Sequence, residues 1–229
     1  MQARWAVSPR SSARDDTTRT PQAVLHGVDA AVTDSRTSRL LVATTNPAKL
    51  DEIRDILGAL PLTIVTLADH PPVPEPEETG STFAENARLK ARYYADATGE
   101  VTVAEDSGLE IDVLDGAPGV HSARFNGASY AEKFATIQRM LAECGTDSSP
   151  ARFVCALALA RTDGALWETT GVVEGRLRLP SRGDAGFGYD PIFYYPPYGR
   201  TLAEVTVDEK AAVSHRGQAF RALRAYLTT

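Results

Sequence analysis

The strongest constraint on the fold is an alternation of short apolar runs with amphipathic stretches that begins near residue 40. The run LLVATT (40–45) suits a buried strand, and Asn46-Pro47 after it supplies a helix N-cap and a proline at the first helical position. Apolar residues then recur at helical spacing as far as Leu57, and the next apolar run is LTIVTL (62–67). This order of elements predicts a β-α-β opening.

The same alternation continues beyond a proline-rich loop. Thr82 and Glu85 have the spacing of a capping box at the start of a second helix, and Gly99 is placed to end that helix. Two strands are predicted next, VTVAE at 101–105 and the alternating LEIDVL at 109–114.

The second half of the chain is predicted to contain a long hairpin between two helices. The first helix should begin at the capping box of Ser129 and Glu132, and the last helix near Ser214. ARFVCALALAR (151–161) and ALWETTGVVEGRL (165–177), separated by the turn TDG, form the antiparallel hairpin. The complete pattern predicts an α/β fold: an elongated mixed sheet flanked by helices, in two lobes with a central cleft.

The first 38 residues differ from the rest of the chain. They are rich in Arg, Ser, Thr and Asp and show no apolar period of either 2 or 3.6. They contain no apolar stretch typical of a secretory signal, and four aspartates weaken a transit-peptide interpretation. We expect a mostly disordered N-terminal extension over 1–38 and a single two-lobed domain over 39–229.

Charge and composition exclude several classes of protein. A net charge of -6 and a pI of about 5.3 argue against a nucleic-acid surface, which is usually basic. No apolar run approaches the roughly 20 residues that span a bilayer. Cys144 and Cys155 are too few for a disulfide framework, and we expect both to be reduced and buried. A cytoplasmic protein that binds neither nucleic acid nor membranes is therefore expected.

The turn ATTNPAK (43–49) is a candidate anion site. A helix that starts directly after a buried strand presents unpaired N–H groups and the positive end of its dipole. Two hydroxyls, an amide and an ammonium group surround this helix start, from Thr44, Thr45, Asn46 and Lys49. An ordinary helix cap is the alternative interpretation.

Acidic residues occur on both sides of the second predicted helix. Glu75, Glu77 and Glu78 precede it, and Glu105-Asp106 follows at a predicted strand end, which is where α/β folds place their ligands. Mg²⁺ is commonly held by one or two carboxylates together with substrate phosphates. The pattern favours a magnesium site, but we expect Glu75 to belong to a solvated loop.

Two later segments contain residues that could bind a nucleoside. GFGYDPIF (186–193) combines glycines, which let a flat ligand approach the backbone, with rings that can stack on a base; packing of those rings in the core is the alternative. In the segment Ser214-His215-Arg216-Gly217, an arginine could bind the O6 and N7 acceptors of a 6-oxo purine in a bidentate manner. A helix start whose arginine faces solvent is the alternative there.

The chain closely resembles the inosine triphosphate pyrophosphatase family in six segments that occur in the same order: ATTNPAKLDEI, EETGSTFAENARLKA, AEDSGLEIDVLDGAPGVHSARF, ARFVCALAL, GFGYDPIF and EKAAVSHRGQAFRAL. The resemblance covers nearly everything from Leu40 to Leu227. It implies a two-lobed α/β fold, a Mg²⁺ cofactor and a homodimer. It also implies hydrolysis of ITP, dITP and XTP to the monophosphate and pyrophosphate, which removes these non-standard purine nucleotides from the cellular pool.

The resemblance further implies roles for individual residues. Asp106 corresponds to the proton acceptor and, with Glu78, to a metal ligand, and Ser107 corresponds to a substrate contact. The residues implied on the triphosphate are Thr44, Thr45, Asn46, Pro47, Ala48, Lys49, Lys90 and Arg124. Those implied on the nucleoside are Phe187, Gly188, Tyr189, Asp190, Lys210, His215 and Arg216, of which the last two correspond to contacts with the 6-oxo edge.

Some of these assignments stay open. Glu105 stands where the family usually has an aspartate, so the role of this carboxylate in metal geometry is undecided, as is the choice between Glu77 and Glu78 as metal ligand. A pyrophosphatase for modified pyrimidine triphosphates is an alternative enzyme. A non-catalytic sensor that binds purine triphosphates and signals through its dimer is an alternative from another class.

Deletion of residues 1–38 should leave the melting temperature and the turnover nearly unchanged, because this segment lacks apolar periodicity and precedes the first predicted strand. Thermal unfolding and an activity assay on the truncated and full-length chains check this prediction. A large loss of activity on truncation would show that the segment is ordered or lies at an interface.

Overall fold

A computed structural model describes residues 38–58 and 60–229, so the predicted extension lies outside the described residues except for Ser38. Ser38 begins the first strand and is in register with Leu62, one residue before the predicted domain boundary at residue 39. The strand spans Ser38–Val42, whereas the sequence predicts a strand over 40–45. Within the described ranges, no helix is both long and apolar enough to cross a membrane.

The predicted alternation of strands and helices is confirmed. The main elements of the described residues are, in chain order, β1 (Ser38–Val42), α1 (Pro47–Leu57), β2 (Leu62–Thr66), α2 (Phe83–Thr98), β3 (Thr102–Ile111), α3 (Tyr130–Glu143), β4 (Pro150–Ala160), β5 (Leu166–Leu177), β6 (Phe193–Tyr195), β7 (Arg200–Thr201), α4 (Val207–Val213) and α5 (His215–Leu227). A 3-10 turn at Gly119–Arg124 connects β3 to α3.

The strands form one mixed sheet, in the order β2-β1-β3-β4-β5-β6-β7. β1 pairs in parallel with β2 and β3, as a β-α-β opening requires, and the remaining neighbours pair antiparallel. β4 and β5 form the long hairpin expected from the sequence.

The helix starts follow local cap chemistry. The Asn46 side chain accepts hydrogen bonds from two N–H groups in the first turn of α1. The capping boxes of Thr82 with Glu85 and of Ser129 with Glu132 both form. Helix α4 has a further capping box of the same spacing, and it was not predicted from the sequence.

β3 differs from the prediction. The sequence predicts two strands here, 101–105 and 109–114, whereas the structure has a single strand that pairs with β4 along its whole length. Because the pairing with β4 is uninterrupted, β3 continues through Ser107-Gly108 and makes no turn there. Asp106 therefore lies in the middle of a strand and not at a strand end.

The end of β1 opens the cleft between the lobes. After Val42, the last backbone hydrogen bond towards β3 runs from the Ala43 N–H to the Val103 carbonyl (2.9 Å). In the described part of the chain, the next hydrogen bond on that edge of β3 runs from the Leu109 N–H to the Ser122 hydroxyl (2.9 Å). The intervening edge of β3 is therefore free to face a ligand.

Three apolar clusters surround this opening. One fills the end of the sheet formed by the last part of β3 and by β6, and Leu109 and Phe193 are among its fully buried members. The other two cover opposite faces of the other end: Phe220 packs in the cluster below α1 and α5, and Ala91 packs in the cluster below α2. The long strands β3, β4 and β5 continue from one lobe into the other.

The two cysteines lie in different environments. Cys155 is fully buried in β4, as expected. Cys144 caps the C-terminus of α3 and is exposed, so the prediction of a buried side chain is wrong for this residue. A helix end at the protein surface accounts for the difference.

The Gly171→Ala substitution in β5 should destabilise the fold by about 1–3 kcal/mol, because overpacking a tight contact forces backbone shifts. A Cβ atom at this position would clash with the His215 carbonyl oxygen and would lie 2.8 Å from the Ala219 nitrogen of α5. Denaturant unfolding measures the change, with Thr170→Ala, an exposed neighbour, as control. Similar free energies for the two variants would contradict this account of the α5 packing.

Candidate active site

A cavity of about 490 Å³ lies between the lobes, over the free edge of β3. It brings together nearly all of the site residues predicted from the sequence. Those in its wall are Thr44, Thr45, Asn46, Lys49, Glu78, Lys90, Asp106, Ser107, Arg124, Phe187, Gly188, Tyr189, Asp190, Lys210, His215 and Arg216.

Pro47 and Ala48 are the two predicted site residues that the structure does not place in this wall. They form the first turn of α1. Pro47 has no N–H group, and the Ala48 N–H already donates to the Asn46 side chain (3.0 Å). Both residues belong to the capped first turn of the helix, and their predicted contact with the triphosphate stays a prediction.

Glu105 and Asp106 are adjacent in β3, so their side chains point to opposite faces of the sheet. Glu105 faces α1 and α5, where it meets Lys49 and Arg216. Asp106 faces α2, where it meets Lys90. The cavity reaches both carboxylates because β3 has no neighbouring strand on this edge.

Lys90 bridges two carboxylates on the α2 side. Its ammonium lies 2.7 Å from Oε1 of Glu78 and 3.2 Å from Oδ1 of Asp106. Arg124 contacts the other oxygen of Glu78, and the Asn86 amide donates to Oδ2 of Asp106 (3.1 Å). Glu78 and Asp106 thus lie on either side of one cation.

Burial shapes the electrostatics of this cluster. Burial raises the pKa of Asp106, and the nearby charge of Glu78 acts in the same direction, against the effects of Lys90 and Asn86. Burial also acts against the charge on Lys90, but the carboxylates of Asp106 and Glu78 outweigh it and raise the lysine pKa. Lys90 therefore stays charged, while Asp106 is a stronger base than an ordinary aspartate.

Glu105 anchors the opposite side of β3. Its carboxylate accepts hydrogen bonds from Nε (3.0 Å) and Nη2 (2.9 Å) of Arg216, and it lies 2.8 Å from the Lys49 ammonium. The Cys155 thiol donates to Oε2 of Glu105 (2.9 Å). Burial opposes ionisation, but Arg216 and Lys49 outweigh burial and hold the pKa of Glu105 well below its usual value.

Alternating charges extend from Arg216 towards the predicted nucleoside segment. Glu52 of α1 accepts from Nη1 of Arg216 (2.8 Å) and lies 2.8 Å from the Lys210 ammonium. Lys210 in turn lies 2.6 Å from Asp190. This chain of ion pairs connects the turn after β1 to the segment that contains Phe187.

Arg216 is more enclosed than a helix start facing solvent would be, with 2% of its surface exposed. Four of its five N–H groups donate to Glu105, Glu52 and Ser107. The predicted bidentate contact with a purine would need two free N–H groups, so this geometry does not provide it. The N–H groups are occupied by Glu105 and Glu52, which lie far from Arg216 in sequence and could not be identified as its partners from the sequence.

Phe187 and His215 line the same end of the cavity. The Phe187 ring has the Lys210 ammonium 4.5 Å and the Arg216 guanidinium 5.5 Å from its centroid. The His215 ring stacks on Phe153 (4.8 Å between centroids), and its Nδ1 is buried with no partner in the described residues. Burial and the charge of Arg216 lower the His215 pKa well below its usual value, so the imidazole is neutral at pH 7.

Tyr189 belongs largely to the core, as the alternative interpretation of this segment proposed. It is 4% exposed, and its hydroxyl donates to the Ser122 carbonyl (2.8 Å). Burial raises its pKa well above the usual value. Only a small part of the ring can therefore contact a ligand.

Glu52 and Asn86 bind charged side chains of the site and were not identified from the sequence. Glu52 follows Lys49 by three residues in α1, and Asn86 precedes Lys90 by four in α2, so each shares a helix face with a predicted site residue. That spacing could have indicated both. Glu77 also lines the cavity, but in the described residues it is Glu78 that shares a cation with Asp106.

Residues 40–226 match the sequence model of the Ham1 family. The chain belongs to the Ham1 family. It is 48% identical over 193 residues to the dITP/XTP pyrophosphatase of Exiguobacterium sibiricum, covering 83% of this chain and 98% of that protein. It is 46% identical over 189 residues to a dITP/XTP pyrophosphatase of Thermus thermophilus, covering 82% of this chain and 91% of that protein.

A solved Ham1 structure has the same fold. The HAM1 protein of Coxiella burnetii superposes with a TM-score of 0.78 at 42% identity, over 83% of this chain and 98% of that chain. The family predicted from the six ordered segments is thus confirmed, and so is the α/β fold with its mixed sheet.

The two adjacent carboxylates of this Ham1 site should affect stability in opposite ways. Glu105→Gln removes one of the two charged partners of the buried Arg216 and the charged partner of Lys49, so we expect a loss of about 3–5 kcal/mol at pH 7. Asp106→Asn removes a charge that burial disfavours, so stability should be unchanged or higher. Denaturant unfolding measures both.

The stability that Glu105 contributes should decrease at acidic pH. Because the folded-state pKa of Glu105 is depressed, its stabilisation is full above the usual glutamate pKa of about 4.3 and is lost as the pH falls towards the folded value. Equal losses for Glu105→Gln and Asp106→Asn at pH 7 would contradict the assignment of the two side chains to different roles.

Proposed function

We propose that this chain is a nucleoside triphosphate pyrophosphohydrolase that converts ITP, dITP and XTP to the monophosphate and pyrophosphate. The observation that carries the proposal is the cluster of Glu78, Lys90 and Asp106 in one cavity with the start of α1. It combines a helix N-terminus suited to phosphate with carboxylates suited to a cation and a base. The names of the two relatives support the substrate class.

We propose Mg²⁺ as the cofactor, held by Glu78 and Asp106. These carboxylates fit a hard cation because they already share the charge of Lys90. Within the described residues, no group of three or more acidic, histidine or cysteine side chains could hold a metal alone, which suits an ion completed by substrate phosphates and water. When bound, the ion would stabilise negative charge that develops on the phosphates.

The triphosphate would lie at the N-terminus of α1. Lys49, Lys90 and Arg124 supply positive charge there, and each of them is now paired with Glu105 or Glu78. Substrate phosphates would compete with these two carboxylates for the three cations. Before substrate binds, the positive charges of the site are thus balanced by its own carboxylates. The chain as a whole is acidic.

In the proposed reaction, water attacks the α-phosphorus. The new bond joins the water oxygen to phosphorus, the bond from the α-phosphorus to the bridging oxygen breaks, and pyrophosphate leaves. Asp106 accepts the proton of the attacking water. A base is most effective when its pKa approaches the working pH, and burial moves the pKa of Asp106 in that direction.

Recognition of the 6-oxo edge is assigned to His215 and Arg216 within this proposal. A neutral imidazole and the remaining N–H of Arg216 offer donors to a carbonyl oxygen at position 6, where adenine instead presents an amino donor. The other parts of the proposal are a homodimer, which rests on the family resemblance alone, and a cytoplasmic location.

The substitution Asp106→Asn should lower kcat for ITP by at least about 10³, because it removes both the proton acceptor and a ligand of the ion. Pyrophosphate release from ITP at saturating Mg²⁺ measures the effect. Asp112→Asn, an exposed aspartate just beyond β3, is the matched control and should stay within about twofold of wild type.

A panel of ITP, dITP, XTP, ATP and modified pyrimidine triphosphates tests the substrate class in the same assay. Faster turnover of the pyrimidine compounds would refute the purine assignment. Retention of more than about a tenth of the wild-type kcat in Asp106→Asn would exclude this residue as the base.

A further inference from the structure

Tyr130 is an exposed aromatic side chain at the cavity that no predicted role includes. It is the first residue of α3 and is 41% exposed, the only aromatic among the exposed large apolar residues of the described chain. Its side chain forms part of the cavity wall, together with Gly188 and Tyr189. An exposed ring in the wall of a nucleotide cavity is suited to contact a ligand.

The Tyr130 ring is held on two sides. It packs edge-to-face against Tyr189, with 5.4 Å between centroids and an interplanar angle of 88°. The Lys133 ammonium lies over it, 4.6 Å from the centroid. A ring held in this way loses little conformational entropy when a ligand binds.

Lys133 is an unusual neighbour for the ring. It is 5% exposed, and no carboxylate of the described residues pairs with it. Its ammonium donates to the Ala123 carbonyl (2.6 Å), and the face of Tyr130 supplies the other stabilising contact. The lysine therefore couples the orientation of Tyr130 to the turn that contains Arg124.

Tyr130 also lies against the predicted nucleoside segment. A Cβ atom built at Gly188 would be 3.5 Å from the Tyr130 hydroxyl oxygen, so the glycine leaves room for this ring. The neighbouring Tyr189 is nearly buried, with its hydroxyl bound to Ser122. Of the two tyrosines, Tyr130 is the one that presents aromatic surface to the cavity.

We propose that Tyr130 binds the substrate directly, by stacking the exposed part of its ring on the purine nucleoside. This inference rests on the proposed function, because it needs a nucleotide in the cavity. Stacking is tolerant of the base, since every base has a flat face. Tyr130 therefore adds affinity for any purine triphosphate and does not select the 6-oxo group.

Binding of three probes tests the proposal, measured by calorimetry with Mg²⁺: α,β-methylene-ITP, α,β-methylene-ATP and inorganic tripolyphosphate. Tyr130→Ala should weaken both nucleotide analogues by the same factor, about five- to tenfold, and leave tripolyphosphate unchanged. Tyr130→Phe keeps the ring and should bind within about twofold of wild type.

Tyr198→Ala is the matched control. Tyr198 is half-buried, packs edge-to-face on Tyr195 (5.1 Å, 85°) and lies outside the cavity wall, so its loss should leave all three affinities unchanged. Tyr130→Leu, which keeps apolar volume, repeats the test if the alanine variant unfolds, and the same loss of nucleotide affinity is expected.

Unchanged analogue binding in Tyr130→Ala would overturn the proposal, and so would an equal loss of tripolyphosphate affinity. Failure of the proposed function gives a different result. A wild-type protein that binds the analogues but releases no pyrophosphate from ITP would refute the hydrolase and leave the Tyr130 result standing. A wild-type protein that binds neither analogue would overturn both.

Discussion

The buried ion pair between Glu105 and Arg216 is the contact on which the rest of the site depends. It joins the middle of β3 to the start of α5, and neither side chain has more than 5% of its surface exposed. Glu105 also holds Lys49, and Arg216 also holds Glu52. Because an unpaired charge is costly in such surroundings, this pair fixes the relative positions of the helix starts that surround the cavity.

The free edge of β3 explains how one short segment serves two functions. Side chains of a strand alternate between faces, so Glu105 enters the structural ion-pair network while Asp106 enters the cluster with Lys90 and Glu78. If β1 continued beyond Val42, it would cover this edge and separate the two faces. The early end of β1 therefore creates a cavity that both carboxylates reach, and we propose that the triphosphate lies at the α1 end and the nucleoside at the Phe187 end.

Most of the helices and strands could be predicted from signals between neighbouring residues. The features that could not be predicted depend on contacts between residues far apart in the sequence. The caps at Asn46 and Thr82 depend on neighbouring residues, and they were predicted correctly. The continuity of β3 depends on β4, and the enclosure of Arg216 depends on Glu105, which is 111 positions away. The exposure of Tyr130 depends in the same way on how α3 packs, so no pattern in the sequence indicated it.

The central claim is that water attacks the α-phosphorus of the bound triphosphate, so that pyrophosphate is the leaving group. The most direct test is hydrolysis of ITP in ¹⁸O-labelled water, followed by mass spectrometry of both products. The account predicts one labelled oxygen in the monophosphate and none in the pyrophosphate. Label in the pyrophosphate, or release of orthophosphate and a diphosphate, would contradict it.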